Sequence, residues 1–248
     1  MTVTDGELRA LALTNYGHFT TFRVEGGGVR GLALHLERLA RDCRALFGAG
    51  LDLDAVRDQV RREVAGQDAV TVRVTVFDPD LDIGHPVRAG RPRVLVTRRA
   101  AGPAAAAPLR VRTVAYERDA PGIKSVGLFP VLRLRRAAQE DGYDDALFVG
   151  RDGLVSEGGT WNVGFVRGNS VIWPRAEQLA GVTMRLLRRE DPVPVRRAEL
   201  TGMDAAFATN AASGVRALAA IDDVTYDAGH PIIGALAAAY LRIPPEAL

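Results

Sequence analysis

The order of extended and helical segments limits what this chain can fold into more than any single motif does. AVTVRVTVF, Ala69 to Phe77, alternates with period two, which is the pattern of a strand with two unlike faces. Arg93 to Arg98 reads as another strand, and more are expected at Val111 to Tyr116, Ala146 to Val149, Val163 to Val166 and Ala205 to Thr209. Ala12 to Val24 also reads as extended, ending in FTTFRV before a turn at Gly26 to Gly28 and a return strand in VRGL. Helical spacing occurs over His35 to Phe47, with Leu36, Leu39, Cys43 and Leu46 in register. Further helices are expected at Leu53 to Val64 (capped by Asp52 or Asp54), Phe129 to Asp141, from Gly181, and at Ile233 to Leu241. Strands outnumber helices and do not alternate with them, which argues against a doubly wound nucleotide fold. GGGVRG does not restore that fold, because it joins two strands instead of opening a helix. AAGPAAAAP, Ala100 to Pro108, reads as a linker. The expected organisation is an α/β (α+β) chain: an N-terminal α+β domain over 1–99, a linker over 100–110 and a larger C-terminal domain over 111–248.

At 248 residues, 47% of them hydrophobic, the chain can bury a substantial core. No stretch reaches the roughly 18 apolar residues that a membrane span needs. The N-terminus lacks the basic-then-apolar order of an export signal. Cys43 is the sole cysteine, which excludes an internal disulfide and a multi-cysteine metal site, and no metal is expected. A reducing, cytoplasmic setting is the natural reading. The net charge of +2 comes with arginines scattered along the chain, which argues against a nucleic-acid partner.

The 32 lysines and arginines include a single lysine, Lys124, which leaves 31 arginines. Coding bias accounts for an arginine-rich chain, and the exception is either a surface lysine left by chance or a position where arginine does not serve. A guanidinium stays protonated and forms no imine with an aldehyde, whereas a desolvated lysine amine does. Lys124 follows a Pro-Gly turn and precedes a helix, so it can stand at the mouth of a site. Downstream, Glu157 opens EGGTWN, where a carboxylate before two glycines is either a turn residue or a specific acidic partner. Pyridoxal phosphate needs such a partner for its ring nitrogen, because the protonated ring is the electron sink. Its phosphate needs an anion site. Gly181-Val182-Thr183 opens a helix and could supply backbone N–H groups and a hydroxyl, or be an ordinary cap. Arg38, in HLERL, is either a second phosphate ligand or a solvated helix residue.

In this order and spacing the motifs resemble the class IV aminotransferases, the fold-type-IV pyridoxal-phosphate enzymes. That family includes branched-chain and D-amino-acid aminotransferases and aminodeoxychorismate lyase. The resemblance runs from YGHFTTFRV and HLERL through GIKS, QEDGYDDALFV and DGLVSEGGTWNVGFV to LAGVT and FATNAASGV. It implies a two-domain fold with the cofactor in an interdomain cleft, a homodimer, and a small-molecule amino donor and keto acceptor as partners. It implies that Lys124 carries pyridoxal 5'-phosphate as a Schiff base and shuttles the proton, while Glu157 pairs with the ring nitrogen. Arg38 and the Gly181, Val182 and Thr183 segment would hold the phosphate, and Asn162 would order the turn after Glu157. Ala211 stands where members place a phosphate-binding threonine, so that phosphate contact is either missing or replaced by Asn210 or Ser213. D-amino-acid aminotransferases bind the substrate carboxylate with an arginine where this chain reads VFDP, leaving Arg23 or Arg30 to substitute. Phe19, Thr21 and Arg23 are the expected substrate-side residues; His18 and His85 are either substrate contacts or structural. FTTFRV and NAASG resemble the lyase branch, in which the same lysine drives elimination and pyruvate is released. Aminotransfer is the favoured activity and lyase-type elimination the alternative. A non-catalytic cofactor-binding protein would be expected to lose Lys124 or Glu157, and both are present.

Overall fold

The computed structural model describes residues 3–102 and 106–248, so 103–105 of the expected linker lie outside the described residues. The chain divides into two compact units. One comprises Met1–Gly102, Ile123–Leu128 and Pro245–Leu248; the other comprises Pro103–Gly122 and Phe129–Pro244.

The first unit opens with helix α1 (Asp5–Thr14), not with an extended segment. Thr4 Oγ1 accepts from the Glu7 N–H at 3.3 Å and the Glu7 carboxylate accepts from the Thr4 N–H at 2.7 Å, a reciprocal cap that starts a helix. Asn15, at φ 50°, stops it. The expected strand over Ala12 to Val24 is therefore corrected: Ala12 to Thr14 are helical, and β1 runs His18–Glu25. A turn at Gly26 and Gly27, both at positive φ, leads to β2 (Gly28–Val29). Helices α2 (Leu32–Phe47) and α3 (Leu53–Val64) follow, the latter capped by Asp52. β3 (Ala69–Phe77) then pairs along the whole of β1, from His18 opposite Val76 to Glu25 opposite Ala69. β4 (Arg93–Ala100) covers the other edge of β3.

Period two gives this sheet two unlike faces. His18, Thr20, Phe22 and Val24 share one with Val70, Val72, Val74 and Val76, all buried. Phe22 packs on His35 of α2 with ring centroids 5.1 Å apart, so the helices cover that face. Phe19, Thr21 and Arg23 lie on the opposite face, across from Thr75, Arg73 and Thr71. The short segment Ile123–Leu128 groups with this unit because it pairs with the start of β1. Ser125 bridges His18, the Phe19 N–H donates to Lys124 O at 2.9 Å, and the Val126 N–H donates to Gly17 O at 3.0 Å. Ser125 thus shares a face with His18, and its neighbour Lys124 stands on the face of Phe19.

The second unit contains β5 (Leu109–Ala115), α4 (Phe129–Glu140), β6 (Asp145–Val149), β7 (Val155–Gly158), β8 (Asn162–Arg167) and β9 (Ser170–Ile172). After these come α5 (Val182–Leu187), β10 (Ala205–Asn210), β11 (Gly214–Ile221), β12 (Val224–Thr225) and α6 (Pro231–Arg242). β10, β11, β5, β6, β7 and β8 pair in that order, and β8 pairs back to β10, which closes the sheet into a barrel. β5 is parallel to both of its neighbours; the other pairings in the ring are antiparallel. Val111, Leu147, Val155, Val163, Phe165 and Leu218 fill one core cluster of this unit. α4 packs Val131, Leu134 and Ala138 on Ala146 and Phe148. Met184 and Leu187 of α5 join Phe207, Ile233 and Tyr240 in a further cluster. Finally, β13 (Glu246–Ala247) pairs with β2 in the first unit's sheet. Among the described residues, no helix is long and apolar enough to cross a membrane, and no cluster of side chains is set up to hold a metal ion.

Candidate active site

Each unit carries its own group of the residues singled out by the sequence. In the first unit the half-buried Lys124 has its Nζ 5.0 Å from the centroid of the Phe19 ring. The Arg73 guanidinium carbon lies 3.7 Å from the same centroid, so two cations share one aromatic side chain. Arg73 is half-buried, and burial lowers its pKa, though a guanidinium remains charged. Its hydrogen bond among the described residues is from Nε to Thr75 Oγ1 at 3.2 Å, and no carboxylate there pairs with it. Thr21 lies directly across from Arg73. Arg23 and Arg30, expected as substitutes for the missing carboxylate ligand, both pair with Glu25, at 2.6 and 3.0 Å. Arg23 also donates to Gly102 O at 2.9 Å. Arg73 is the cation that the sequence reading missed; its only signal there is an arginine within the polar register of β3.

Arg38 is buried at 5% exposure, so it is not a solvated helix residue. Its Nη2 donates to Thr20 Oγ1 at 2.5 Å, and that oxygen is 2.7 Å from His35 Nδ1. Burial, and then the nearby Arg38 and Lys124 charges, hold the His35 imidazole well below its ordinary pKa, so it is neutral. A neutral imidazole and a hydroxyl fix the guanidinium without cancelling its charge.

His18 is fully buried, and neither ring nitrogen has a hydrogen-bond partner among the described residues. Burial pushes its pKa down to about 4, against a smaller upward pull from Asp42. An unfolded imidazole takes up its proton near pH 6.5, whereas the folded one refuses it until about pH 4. Stability is therefore lost as pH falls through that window, by about 3 kcal/mol for this group. Urea denaturation between pH 7 and pH 4 should show a flatter pH dependence for His18→Gln than for the parent protein; an unchanged slope would contradict this. His85, in contrast, is exposed and pairs locally with Asp82 at 3.0 Å.

In the second unit Glu157 lies on β7 at 3% exposure. It is strand backbone and not a turn residue. Arg118 Nε pairs with Glu157 Oε1 at 2.6 Å, and Arg118 Nη2 donates to Gly159 O at 3.0 Å. The Leu179 N–H reaches the same carboxylate oxygen at 3.3 Å. Asn162, directly across from Glu157, donates from Nδ2 to Leu179 O at 2.8 Å and to Gln178 Oε1 at 3.1 Å. It thereby ties the 178–181 segment to the β7–β8 hairpin. Gly181 is required there: a Cβ on it would lie 2.0 Å from Asn162 Oδ1. Gly181 is the helix cap, and its carbonyl accepts the Arg185 N–H at 2.9 Å. The N–H groups before Arg185 are not used by α5 itself. Thr183 is buried at 1% exposure, and its Oγ1 has no hydrogen-bond partner among the described residues. It does not act as a cap. A buried hydroxyl without a partner is costly, and a ligand oxygen would satisfy it. Asn210 is used differently: its Oδ1 accepts from the Ala212 and Ser213 N–H groups and from Ser213 Oγ, at 2.9–3.0 Å, and holds its own turn.

A family profile, amino-transferase class IV, matches residues 17–221. No curated protein matches the chain. Among solved structures, a candidate 4-amino-4-deoxychorismate lyase from Legionella pneumophila is 21% identical, with 98% of this chain and 97% of that chain covered at a TM-score of 0.84. The branched-chain aminotransferase of Thermoproteus uzoniensis, solved with norvaline, is also 21% identical, covers 97% of this chain and 89% of that one, and has a TM-score of 0.83. A hypothetical aminotransferase from Mycobacterium tuberculosis in its PLP-bound form is 20% identical, with 97% and 92% covered and a TM-score of 0.80. At these identities the likeness is one of fold, and the mixed α/β architecture is that of the fold-type-IV pyridoxal-phosphate enzymes. The matched profile spans most of the sequence, and the chain belongs to the class IV aminotransferase family.

Proposed function

We propose that the protein is a pyridoxal-phosphate-dependent aminotransferase that moves an amino group between a small amino acid or amine and a keto acid, with Lys124 as its catalytic lysine. The observation that carries this reading is the pairing of Lys124 Nζ and Arg73 around the Phe19 ring. An amino acid presents an amine to be processed and a carboxylate to be held, and this sheet face offers one cation suited to each task. Arg73 is the carboxylate anchor, in place of Arg23 or Arg30, because its half-buried guanidinium has no acidic partner among the described residues and so suits an anion.

The residues present fit pyridoxal phosphate. Arg38 in the first unit would suit the phosphate, as would, in the second, the Gly181–Thr183 backbone and the Thr183 hydroxyl that has no partner among the described residues; Glu157 would be the partner of the ring nitrogen. When bound, the cofactor supplies an aldehyde that condenses with amines and a ring that accepts an electron pair. Lys124 Nζ takes the proton from the substrate carbon that bears the amine and returns it. Glu157, held by Arg118 and the Leu179 N–H, keeps a proton on the ring nitrogen. Thr20 and His35 hold Arg38 in place without competing for its charge. The homodimer implied by the family resemblance and a cytoplasmic setting, which the single cysteine favours, belong to the same reading. Elimination releasing pyruvate is the second reading, and FTTFRV favours it: Thr21 faces Arg73 on the lysine side of the sheet.

The test is a half-reaction. Protein loaded with pyridoxal phosphate and freed of excess is mixed with D- and L-amino acids and with simple amines, without a keto acceptor. Bleaching of the visible band by a donor is the expected result. An unbleached band with pyruvate release from aminodeoxychorismate would establish the lyase instead. Arg73→Gln should raise KM for amino-acid donors about 10- to 100-fold, the loss expected for a hydrogen bond to a charged group. Simple amines should be unaffected, and an equal loss for both donor classes would remove Arg73 from this role.

A further inference from the structure

We propose that Asp42 is a positioning residue for Lys124, fixing the backbone from which the amine projects. The inference rests on the reading of Lys124 as the catalytic lysine. Asp42 lies one turn beyond Arg38 on α2, on the same side of the helix, and is fully buried. A buried carboxylate is costly to keep unless its oxygens are satisfied by specific partners. The two oxygens divide their partners. Oδ1 takes both Nε and Nη2 of Arg41, at 3.0 and 2.7 Å, which balances the charge toward the surface, since Arg41 is half exposed. Oδ2 takes the backbone N–H of Lys124 at 3.2 Å.

That bond completes the restraint on one residue. The Lys124 carbonyl accepts from the Phe19 N–H on β1, while its N–H donates to Asp42 on α2. Ser125, the next residue, bridges His18 and its N–H donates to Ile123 O at 3.0 Å, and the segment reaches Lys124 from the Pro121-Gly122 turn. Two elements of the unit therefore grip the two polar backbone groups of the same residue, and neither grip uses its side chain. The point from which the amine projects is thereby immobilised, which is what a proton-transferring group requires. The preceding turn of the same helix carries Arg38, so α2 both holds the lysine's backbone and presents the arginine proposed for the phosphate. An apolar residue at position 42 would fill the space but would leave the Lys124 N–H without its acceptor.

The experiment compares Asp42→Ala with Asp42→Asn, which keeps an acceptor oxygen at the same place without the charge. Amide hydrogen exchange is read residue by residue, alongside kcat and KM for an active amino donor. In Asp42→Ala the Lys124 amide should exchange about 10-fold faster or more, while amides paired between β1 and β3 keep their protection. kcat should fall and KM should hold. Asp42→Asn should restore both the exchange rate and most of kcat. Unchanged Lys124 exchange in Asp42→Ala, or an Asn variant as impaired as the Ala variant, would overturn the proposal. If Asp42→Ala does not fold, Asp42→Asn still decides, because protection of its Lys124 amide is required. The exchange measurement stands whatever reaction the protein catalyses, so a failed positioning role is distinguishable from a wrong assignment of Lys124.

Discussion

Lys124→Arg should abolish turnover while leaving the fold intact. The restraints on this residue run through its backbone, to Phe19 and Asp42, so the substitution keeps them. It also keeps the positive charge beside the Phe19 ring. What it removes is an amine able to bond to an aldehyde and to give up and recover a proton, which a guanidinium does not do. The expected loss in kcat is at least about 10³-fold, within the range assigned to a positioned acid–base group. The visible band of protein loaded with pyridoxal phosphate should change as well, with the thermal midpoint within a few degrees of the parent. A variant that keeps both its spectrum and its turnover would end the central reading.

The second large effect belongs to Glu157→Gln. The amide keeps an oxygen for the Leu179 N–H but loses the charge that faces Arg118 at 2.6 Å. A neutral side chain no longer holds a proton on a ring nitrogen, and turnover should fall about 10²- to 10³-fold, comparable to removing one electrostatic contact from an active site. Stability should fall too, by about 3 kcal/mol, because Arg118 is left partly buried without its anion. The two consequences are separable. Arg118→Gln breaks the same ion pair from the other side and should cost similar stability, yet it leaves the Glu157 carboxylate in place and should retain more activity. Urea denaturation together with kcat on both variants tests this, and equal activity losses would show that the pair acts through the fold alone.

How much of this was legible in the sequence depended on where the determinants lie. β3, α2 and α3 were readable because period and caps are contained within a dozen or so neighbouring residues. α1 was readable in principle, since Thr4 and Glu7 have the spacing of a reciprocal cap, but it buries no residue and gives almost no apolar stripe. β7 and β11 were not assigned from the sequence. β7 is four residues long, and β11 is defined by partners on β10 and β5. Lys124 and Glu157 stood out chemically, one by composition and one by its glycine-rich context. Arg73 did not, because an arginine in the polar register of a strand ordinarily faces water. Which face of that sheet holds the lysine is decided by the bridge between His18 and Ser125, far apart in sequence. Asp42 and Arg118 escaped for the same reason: their partners are set by tertiary structure, and nothing local distinguishes them from other charged residues.

The closed ring of strands also carries a consequence for the order of events in folding. β5 needs β6 on one side and β11 on the other, and β11 begins only at Gly214. On the ribosome, therefore, β5 emerges long before one of its partners exists, and no arrangement of the intervening strands can supply that pairing. Until then the nascent unit is an open sheet with unpaired N–H and C=O groups along an edge, the form most prone to joining another chain. Closure through so distant a parallel contact is slow by nature, since the loop entropy is lost before the contact compensates for it. The interval before β11 is made is thus the stage at which this protein is most exposed to misassembly.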